Sequence, residues 1–202
     1  MRLYHSPTSP FVRKVMVLLH EAQALDQVTL HPVAGNPLDP GSLPVDRNPL
    51  GKIPALDRDD GATLYDSRVI TRYLDDRLQA GLYPPAPRLW DTLVLEATAD
   101  GITEAAVLIR YEYHVRPAGA WSDDWAAAQW AKIDRALSAL ERDGLPQLAG
   151  PPDMGQIALA CALGYLDFRM SDRNWRQDRP GLALWHKDFA ARPSMQATLP
   201  VA

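Results

Sequence analysis

Residues 6–14, Ser6-Pro7-Thr8-Ser9-Pro10-Phe11-Val12-Arg13-Lys14, join a strand to a helix. Serine is a favoured helix N-cap and proline is favoured at the first helical position, so Ser9-Pro10 opens the helix. Before it, Arg2 to His5 reads as a short strand. After it, Phe11, Val12, Val15, Met16, Leu18, Leu19 and Ala22 form a wide apolar stripe. Gln27 to Val33 reads as a second strand, with Val28, Leu30 and Pro32 on one face. Asn36 to Leu50 is dense in turn residues and predicts a long loop with at most a short helix. Lys52 to Asp57 and Ala62 to Tyr65 read as two strands around the hairpin signal Asp59-Asp60-Gly61. Asp66 or Ser67 then caps a helix carrying Val69, Ile70, Tyr73, Leu74 and Leu78. This order is α/β.

The second part reads as all-α. Prolines crowd the first 87 residues, and only Pro117 lies between 88 and 145. Since proline breaks helices, the change in density marks a change of architecture, with Pro84-Pro85-Ala86-Pro87 as a stiff linker. Arg88 to about Val115 reads as one long or kinked helix with Leu89, Leu93, Val94, Ala97 and Ile102 inward. Asp123 or Asp124 starts the next, where Ala126, Trp130, Ile133, Leu137 and Leu140 make the narrow seam of packed helices. Gly144 stands where a glycine cap is expected. Asp153 to Met170 is apolar nearly all round, a central buried helix, with Asp153 and Gln156 at capping-box spacing. Leu182, Trp185 and Phe189 mark a last helix before Arg192-Pro193.

The chain has 202 residues, 47% of them hydrophobic and 23% charged, which is ordinary for a globular protein with a proper core. A net charge of -4 gives no pull toward phosphate backbones or anionic lipid, so neither nucleic acid nor membrane is an expected partner. The lone Cys161 excludes an internal disulfide, a CxxC pair and a four-cysteine zinc site. The chain's start lacks the apolar core of a signal peptide, and no apolar run reaches the ~20 residues of a membrane span. A cytoplasmic protein is the expectation. His5, His20, His31, His114 and His186 have no metal-ligand spacing, and no metal is expected.

Three segments point to chemistry. At Ser6 to Lys14, hydroxyls stand at a helix N-terminus, whose unpaired N–H groups and partial positive charge stabilise an anion, a thiolate included. In Asn48-Pro49-Leu50-Gly51-Lys52-Ile53-Pro54-Ala55-Leu56, Pro54 cannot donate to a ladder, and a cis Ile53–Pro54 bond turns the Ile53 backbone outward toward an extended peptide. At Asp66-Ser67, a helix start and a hydroxyl suit a carboxylate ligand, and the aspartate suits an amino group. Taken singly, each also reads as routine capping or an ordinary edge-strand proline.

In this order and at these distances, the three resemble the glutathione-binding domain of glutathione S-transferases, and the likeness covers essentially the whole chain. Ser9-Pro10-Phe11 matches the place where thiol-type members carry Cys-Pro-Phe. Asn48-Pro49-x-Gly51-Lys52-Ile53-Pro54 is similar to the family's cis-proline turn, Asp66-Ser67 to its Glu/Asp-Ser pair, and Gln156 to Leu163 to its core helix. The resemblance looks closest to bacterial members. It implies a thioredoxin-like glutathione-binding domain over residues 1–80, a linker over 81–87, and an all-helical domain over 88–202 that lines the electrophile site.

The same resemblance implies a transferase with glutathione as cosubstrate, a homodimer, and a role such as detoxification. Glutathione lies along Lys52, Ile53 and Pro54, with Asp66 and Ser67 holding its γ-glutamyl end and Lys52 near its glycyl carboxylate. Ser9 donates to the sulfur, with Thr8, Ser6 and Tyr4 as rivals. Phe11, Arg110, Tyr111 and Tyr113 are lining candidates for a small hydrophobic electrophile. Arg13 reads as structural, and Cys161 as buried and inert. Serine at position 9 argues against mixed-disulfide chemistry, and Asp153-Met154-Gly155-Gln156 departs from the family's Ser/Thr-x-x-Asp box. Two further readings use the same fold: a non-catalytic glutathione-binding or protein-interaction module, and a glutathione-dependent isomerase or dehalogenase.

Overall fold

In the computed structural model, which describes residues 1–201, Arg2–His5 is the central strand, β1, of a three-stranded sheet of order β2-β1-β3. The Ser9 cap and Pro10 start α1 (Pro10–Glu21) as expected. The chain returns through β2 (Thr29–Pro32), parallel to β1 with Leu3 opposite Leu30. This strand is shorter than Gln27 to Val33, because Leu25–Gln27 forms a 3-10 turn, and Pro32 is exposed rather than facing inward. After the long loop, β3 (Ala55–Asp57) runs antiparallel to β1 with Tyr4 opposite Ala55, and α2 (Ser67–Leu78) packs against α1. Leu3, Val15, Leu18, Leu19, Leu56, Ile70 and Leu74 are fully buried and form the core of this part.

The expected strand pair at 52–57 and 62–65 is a correction. Only Ala55–Asp57 forms a strand, and the return segment contributes one bridge, Leu64 to Leu56. Pro54 has no N–H to give, and the Lys52 carbonyl already accepts from Asn48 Nδ2 at 2.8 Å. Beyond that bridge, side chains hold the turn: Thr63 Oγ1 donates to Asp57 at 2.7 Å and Arg58 Nε donates to the Ala62 carbonyl at 3.0 Å.

The second unit, Pro85–Arg192, is helical. It contains α3 (Arg88–His114), α4 (Asp123–Ala139), α5 (Met154–Arg169) and α6 (Pro180–Ala190). On α3, Leu95, Ala99, Ile102, Ala106 and Ile109 face the core, whereas Val94 is 65% exposed and Ala97 is exposed. The expected inward face was therefore partly wrong: α3 carries apolar residues on two faces, and spacing alone does not choose between them. The seam read for α4 forms, with Ala126, Ile133 and Leu137 buried, Trp130 only partly buried against them, and Leu140 buried just past the helix end. Gly144 is not a left-handed cap. The chain continues through a π-helical turn, Leu140–Gly144, into a 3-10 turn, Leu145–Leu148. Helix α5 is buried on nearly every side, Cys161 included. Asp153 caps it by accepting from the Gln156 N–H at 3.0 Å, while the Gln156 side chain donates to the Pro151 carbonyl, so the reciprocal half of the box is absent.

The last helix, α7 (Pro193–Ala197), packs on α1. The segment from Pro193 onward thus belongs to the same unit as Met1–Pro84, where the sequence reading grouped 88–202 together. The physical cause is polar and partly buried. Arg13, 7% exposed, donates to the Met195 carbonyl at 3.1 Å, and the Ser194 hydroxyl donates to Glu21.

Candidate functional site

The turn between β1 and α1 places three hydroxyls within four residues. Ser9 Oγ accepts from the Val12 N–H at 3.3 Å, and the Ser9 N–H donates to the Ser6 carbonyl at 3.1 Å. A hydroxyl that accepts in this way keeps its own proton to donate elsewhere. Ser6 Oγ and Thr8 Oγ1 lie 3.2 Å apart, so one donates to the other and the acceptor keeps its proton. Tyr4 leaves the group of rivals: it is 7% exposed and its hydroxyl donates to Asp57 Oδ2 at 3.0 Å.

The sheet register gathers the other segments at the same end. Because β3 opposes β1 with Ala55 beside Tyr4, Ile53 and Pro54 lie next to the point where the Ser6–Ser9 turn leaves the sheet. The Leu56–Leu64 bridge sends the chain back the same way, so Asp66 and Ser67 return to that end. Both α1 and α2 therefore begin there, and two helix N-termini favour negative charge in one place.

The Ile53–Pro54 bond is cis, as is Tyr65–Asp66. Among the described residues, the Ile53 N–H and C=O pair with no other backbone group. The Ile53 side chain packs against Tyr4, Val33 and Ala55. Lys52 is exposed. Asp66 caps α2, accepting from the Arg68 N–H at 3.0 Å and pairing with the Arg68 guanidinium at 3.3 Å. Ser67, the first residue of α2, is buried. Asn48, 2% exposed, was read only as part of a turn. It clamps that turn by donating to the Lys52 carbonyl and accepting from the Leu50 N–H at 3.1 Å.

In the helical unit, Arg110 and Tyr111 stand in the last turns of α3, near Tyr165 and Arg169, which sit one turn apart on α5. Burial lowers the Arg110 pKa, and the neighbouring Arg169 charge lowers it further. Burial raises the Tyr111 phenol. Burial also raises Tyr165, which Arg169 partly offsets. Both phenols therefore stay neutral donors at neutral pH. Tyr165 and Arg169 were missed because α5 reads as uniformly apolar; the four-residue spacing of a tyrosine and an arginine at its end was the available signal. Tyr113 is not part of this group: its hydroxyl donates to Asp123 at 2.8 Å and its ring tilts against Trp121. Phe11 is half-buried in the first turn of α1, in the other unit.

Comparison with known proteins gives consistent matches. Residues 8–77 match the family model for the N-terminal domain of glutathione S-transferases, and residues 123–188 match the model for their C-terminal domain. The chain is 35% identical over 205 residues to the uncharacterized GST-like protein YibF of Escherichia coli (strain K12), covering 99% of this chain and 98% of that one. A crystal structure of a glutathione transferase family member from Pseudomonas fluorescens Pf-5 with bound glutathione superposes with a TM-score of 0.95 at 47% identity, covering 100% of this chain and 99% of that one. A second structure from that organism, with bound S-(propanoic acid)-glutathione, gives 0.91 at 46% identity, covering 100% of both chains. The thioredoxin-like first part and the all-helical second part are thus those of a known fold. Among the described residues, no helix is long and apolar enough to cross a membrane.

Proposed function

The chain belongs to the glutathione S-transferase superfamily, and from that premise we propose that it is a cytoplasmic glutathione transferase acting on small hydrophobic electrophiles. One observation carries this reading: the sheet register brings Ser9, Ile53–Pro54 and Asp66–Ser67 to the end of the sheet where α1 and α2 both begin. That end suits a peptide ligand with one thiolate and one terminal carboxylate. In this reading residues 1–80 bind glutathione, 81–87 link, and the helical residues line the electrophile site. The relative holding S-(propanoic acid)-glutathione supports a site whose sulfur carries a carbon substituent.

The roles follow from the groups. The unpaired Ile53 N–H and C=O pair with the cysteinyl backbone of glutathione. Asp66 accepts from the γ-glutamyl ammonium, and the N-terminus of α2 with Ser67 takes the α-carboxylate. Lys52 approaches the glycyl carboxylate as a point charge. The Ser9 hydroxyl donates to the sulfur, and the α1 dipole adds to it, so the thiol loses its proton at neutral pH. The thiolate electron pair forms the S–C bond. A leaving group departs with the bonding pair, or, in an activated alkene, the resulting carbanion takes a proton from water. In the helical unit, Arg110 and Tyr111 at the end of α3 are the proposed contacts for the electrophile. A homodimer fits the exposed apolar stripe of Trp90, Val94, Ala97 and Gly101 on α3, where Trp90 is 62% exposed.

The test is calorimetric titration of wild type and Ser9→Ala with glutathione, with an ultraviolet thiolate spectrum on each bound sample. Wild type is expected to bind and show thiolate, and Ser9→Ala to bind without it. A thiolate signal that survives Ser9→Ala removes Ser9 from the mechanism. Absence of glutathione binding overturns the transferase reading.

A further inference from the structure

Asn48 is 2% exposed and is anchored at its own backbone: its N–H donates to the Pro44 carbonyl at 2.8 Å, and its carbonyl accepts from the Gly51 N–H at 2.9 Å. Its side chain then spans the turn. Oδ1 accepts from the Leu50 N–H at 3.1 Å, and Nδ2 donates to the Lys52 carbonyl at 2.8 Å. Gly51, in the left-handed region at φ +60°, lets the chain fold back so that a carbonyl four residues on meets this side chain. The two partners fix which way the amide faces, because a backbone N–H only donates and a carbonyl only accepts. Among residues of this shape, asparagine alone offers one acceptor and one donor: an ionised aspartate only accepts, and leucine does neither.

The Lys52 carbonyl is one half of a peptide whose other half is the Ile53 N–H. That peptide is trans, so its C=O and N–H share a plane and point in opposite directions. Holding the carbonyl on a buried, anchored side chain therefore aims the Ile53 N–H away from Asn48, and among the described residues that N–H pairs with no other backbone group. A hydrogen bond at the carbonyl also polarises the peptide and strengthens its N–H as a donor. Leu50 and Lys52 are exposed, so side-chain packing does little to hold this peptide plane, and the clamp does it instead. A donor fixed before its ligand arrives costs less to order on binding.

We propose that Asn48 is a positioning residue: through the shared Lys52–Ile53 peptide it orients and strengthens the Ile53 N–H that donates to the cysteinyl carbonyl of glutathione. This rests on the transferase reading and deepens it. Asn48 touches no atom of the ligand, and the whole device lies within residues 44–53, in one unit of the chain.

Glutathione is titrated by calorimetry into the full chain and into Asn48→Ala, Asn48→Asp and Thr63→Val, with an ultraviolet thiolate spectrum at saturation. Thr63→Val is the control for general loosening: it removes a 2.7 Å side-chain hydrogen bond from the neighbouring turn of the same unit and leaves residues 48–53 alone. Both Asn48 variants are expected to bind glutathione about tenfold more weakly, the worth of one well-placed hydrogen bond. Thr63→Val is expected to bind as wild type does. The saturated Asn48 variants keep the thiolate signal, because the sulfur is served by the turn between β1 and α1. An NMR titration of isotope-labelled wild type needs no variant: glutathione is expected to move the Ile53 amide and the Asn48 Nδ2 resonance together, because one peptide joins them. Unchanged affinity in the Asn48 variants overturns the proposal, and so does an equal loss in Thr63→Val. An Ile53 amide that shifts while Asn48 Nδ2 stays in place overturns it too, even where the Asn48 variants fail to fold. In each of these cases wild type still binds glutathione, and the transferase reading stands. Absence of binding in wild type overturns the transferase reading and this proposal with it.

Discussion

Asp153→Ala removes two hydrogen bonds from the junction of α3 and α5. Asp153 Oδ1 caps α5 by accepting from the Gln156 N–H at 3.0 Å, and Oδ2 accepts from the Thr92 hydroxyl at 2.9 Å. Asp153 is 6% exposed and Thr92 and Gln156 are each 1% exposed, so water does not replace the missing partner. Loss of an N-cap costs about 1 kcal/mol. A buried hydroxyl left unsatisfied costs about 1–3 kcal/mol more. The sum, about 2–4 kcal/mol, lowers the melting temperature by roughly 4–16 °C for a chain of this size. The assay is urea unfolding followed by tryptophan fluorescence. All six tryptophans (Trp90, Trp121, Trp125, Trp130, Trp175 and Trp185) lie in the helical unit, so the signal reports on the affected part. Adding Thr92→Val to Asp153→Ala removes the stranded hydroxyl and is expected to restore about 1 kcal/mol. A loss below about 1 kcal/mol in Asp153→Ala, or further damage from Thr92→Val, refutes the account.

Gly155→Ala puts a β-carbon 2.8 Å from the Thr92 carbonyl oxygen and 2.9 Å from Leu95 Cβ. Neither atom can move without α3 or α5, so a loss of about 1–3 kcal/mol is expected by the same fluorescence assay. Arg13→Gln removes the guanidinium donors to the Met195 carbonyl and the Thr198 hydroxyl; hydrogen exchange at residues 193–201 is expected to speed up while α5 keeps its protection. Burial alone raises the Asp167 carboxyl, but hydrogen bonds from Arg176 and Trp175, with the charges of Arg176 and His186, outweigh it and hold the pKa below the ordinary value. That stabilisation is present above the unfolded pKa of about 3.9 and is lost as pH falls through the folded value. The stability difference between wild type and Asp167→Asn is therefore expected to be largest near neutrality and to shrink toward pH 3, as read from urea midpoints. Val94→Glu charges the exposed stripe of α3; for the proposed homodimer, sedimentation is expected to show a dimer in wild type and a monomer in the variant, and an unchanged dimer would place the interface elsewhere.

Much of this molecule is written in short-range patterns. Ser9-Pro10 starts α1, Asp66 caps α2, and Asp153 caps a helix whose apolar run announces a buried position. Each depends on groups within a turn of one another, so composition and spacing are enough. Legibility ends where apolar residues occur on two faces, as on α3, where Val94 faces outward, and where side chains take over ladder partners, as Asn48 does at Lys52. The candidate site divides along the same line. Its residue types and its two helix starts are local, and could be named from the chain. Their meeting at one end of the sheet depends on Tyr4 lying opposite Ala55 and on Leu64 bridging to Leu56. Removal of Tyr4 from the rivals depends on Asp57, and the burial of Tyr165 depends on α3 packing against α5. Those pairings join residues far apart in sequence, and their energy comes from burial and register, which no single segment encodes.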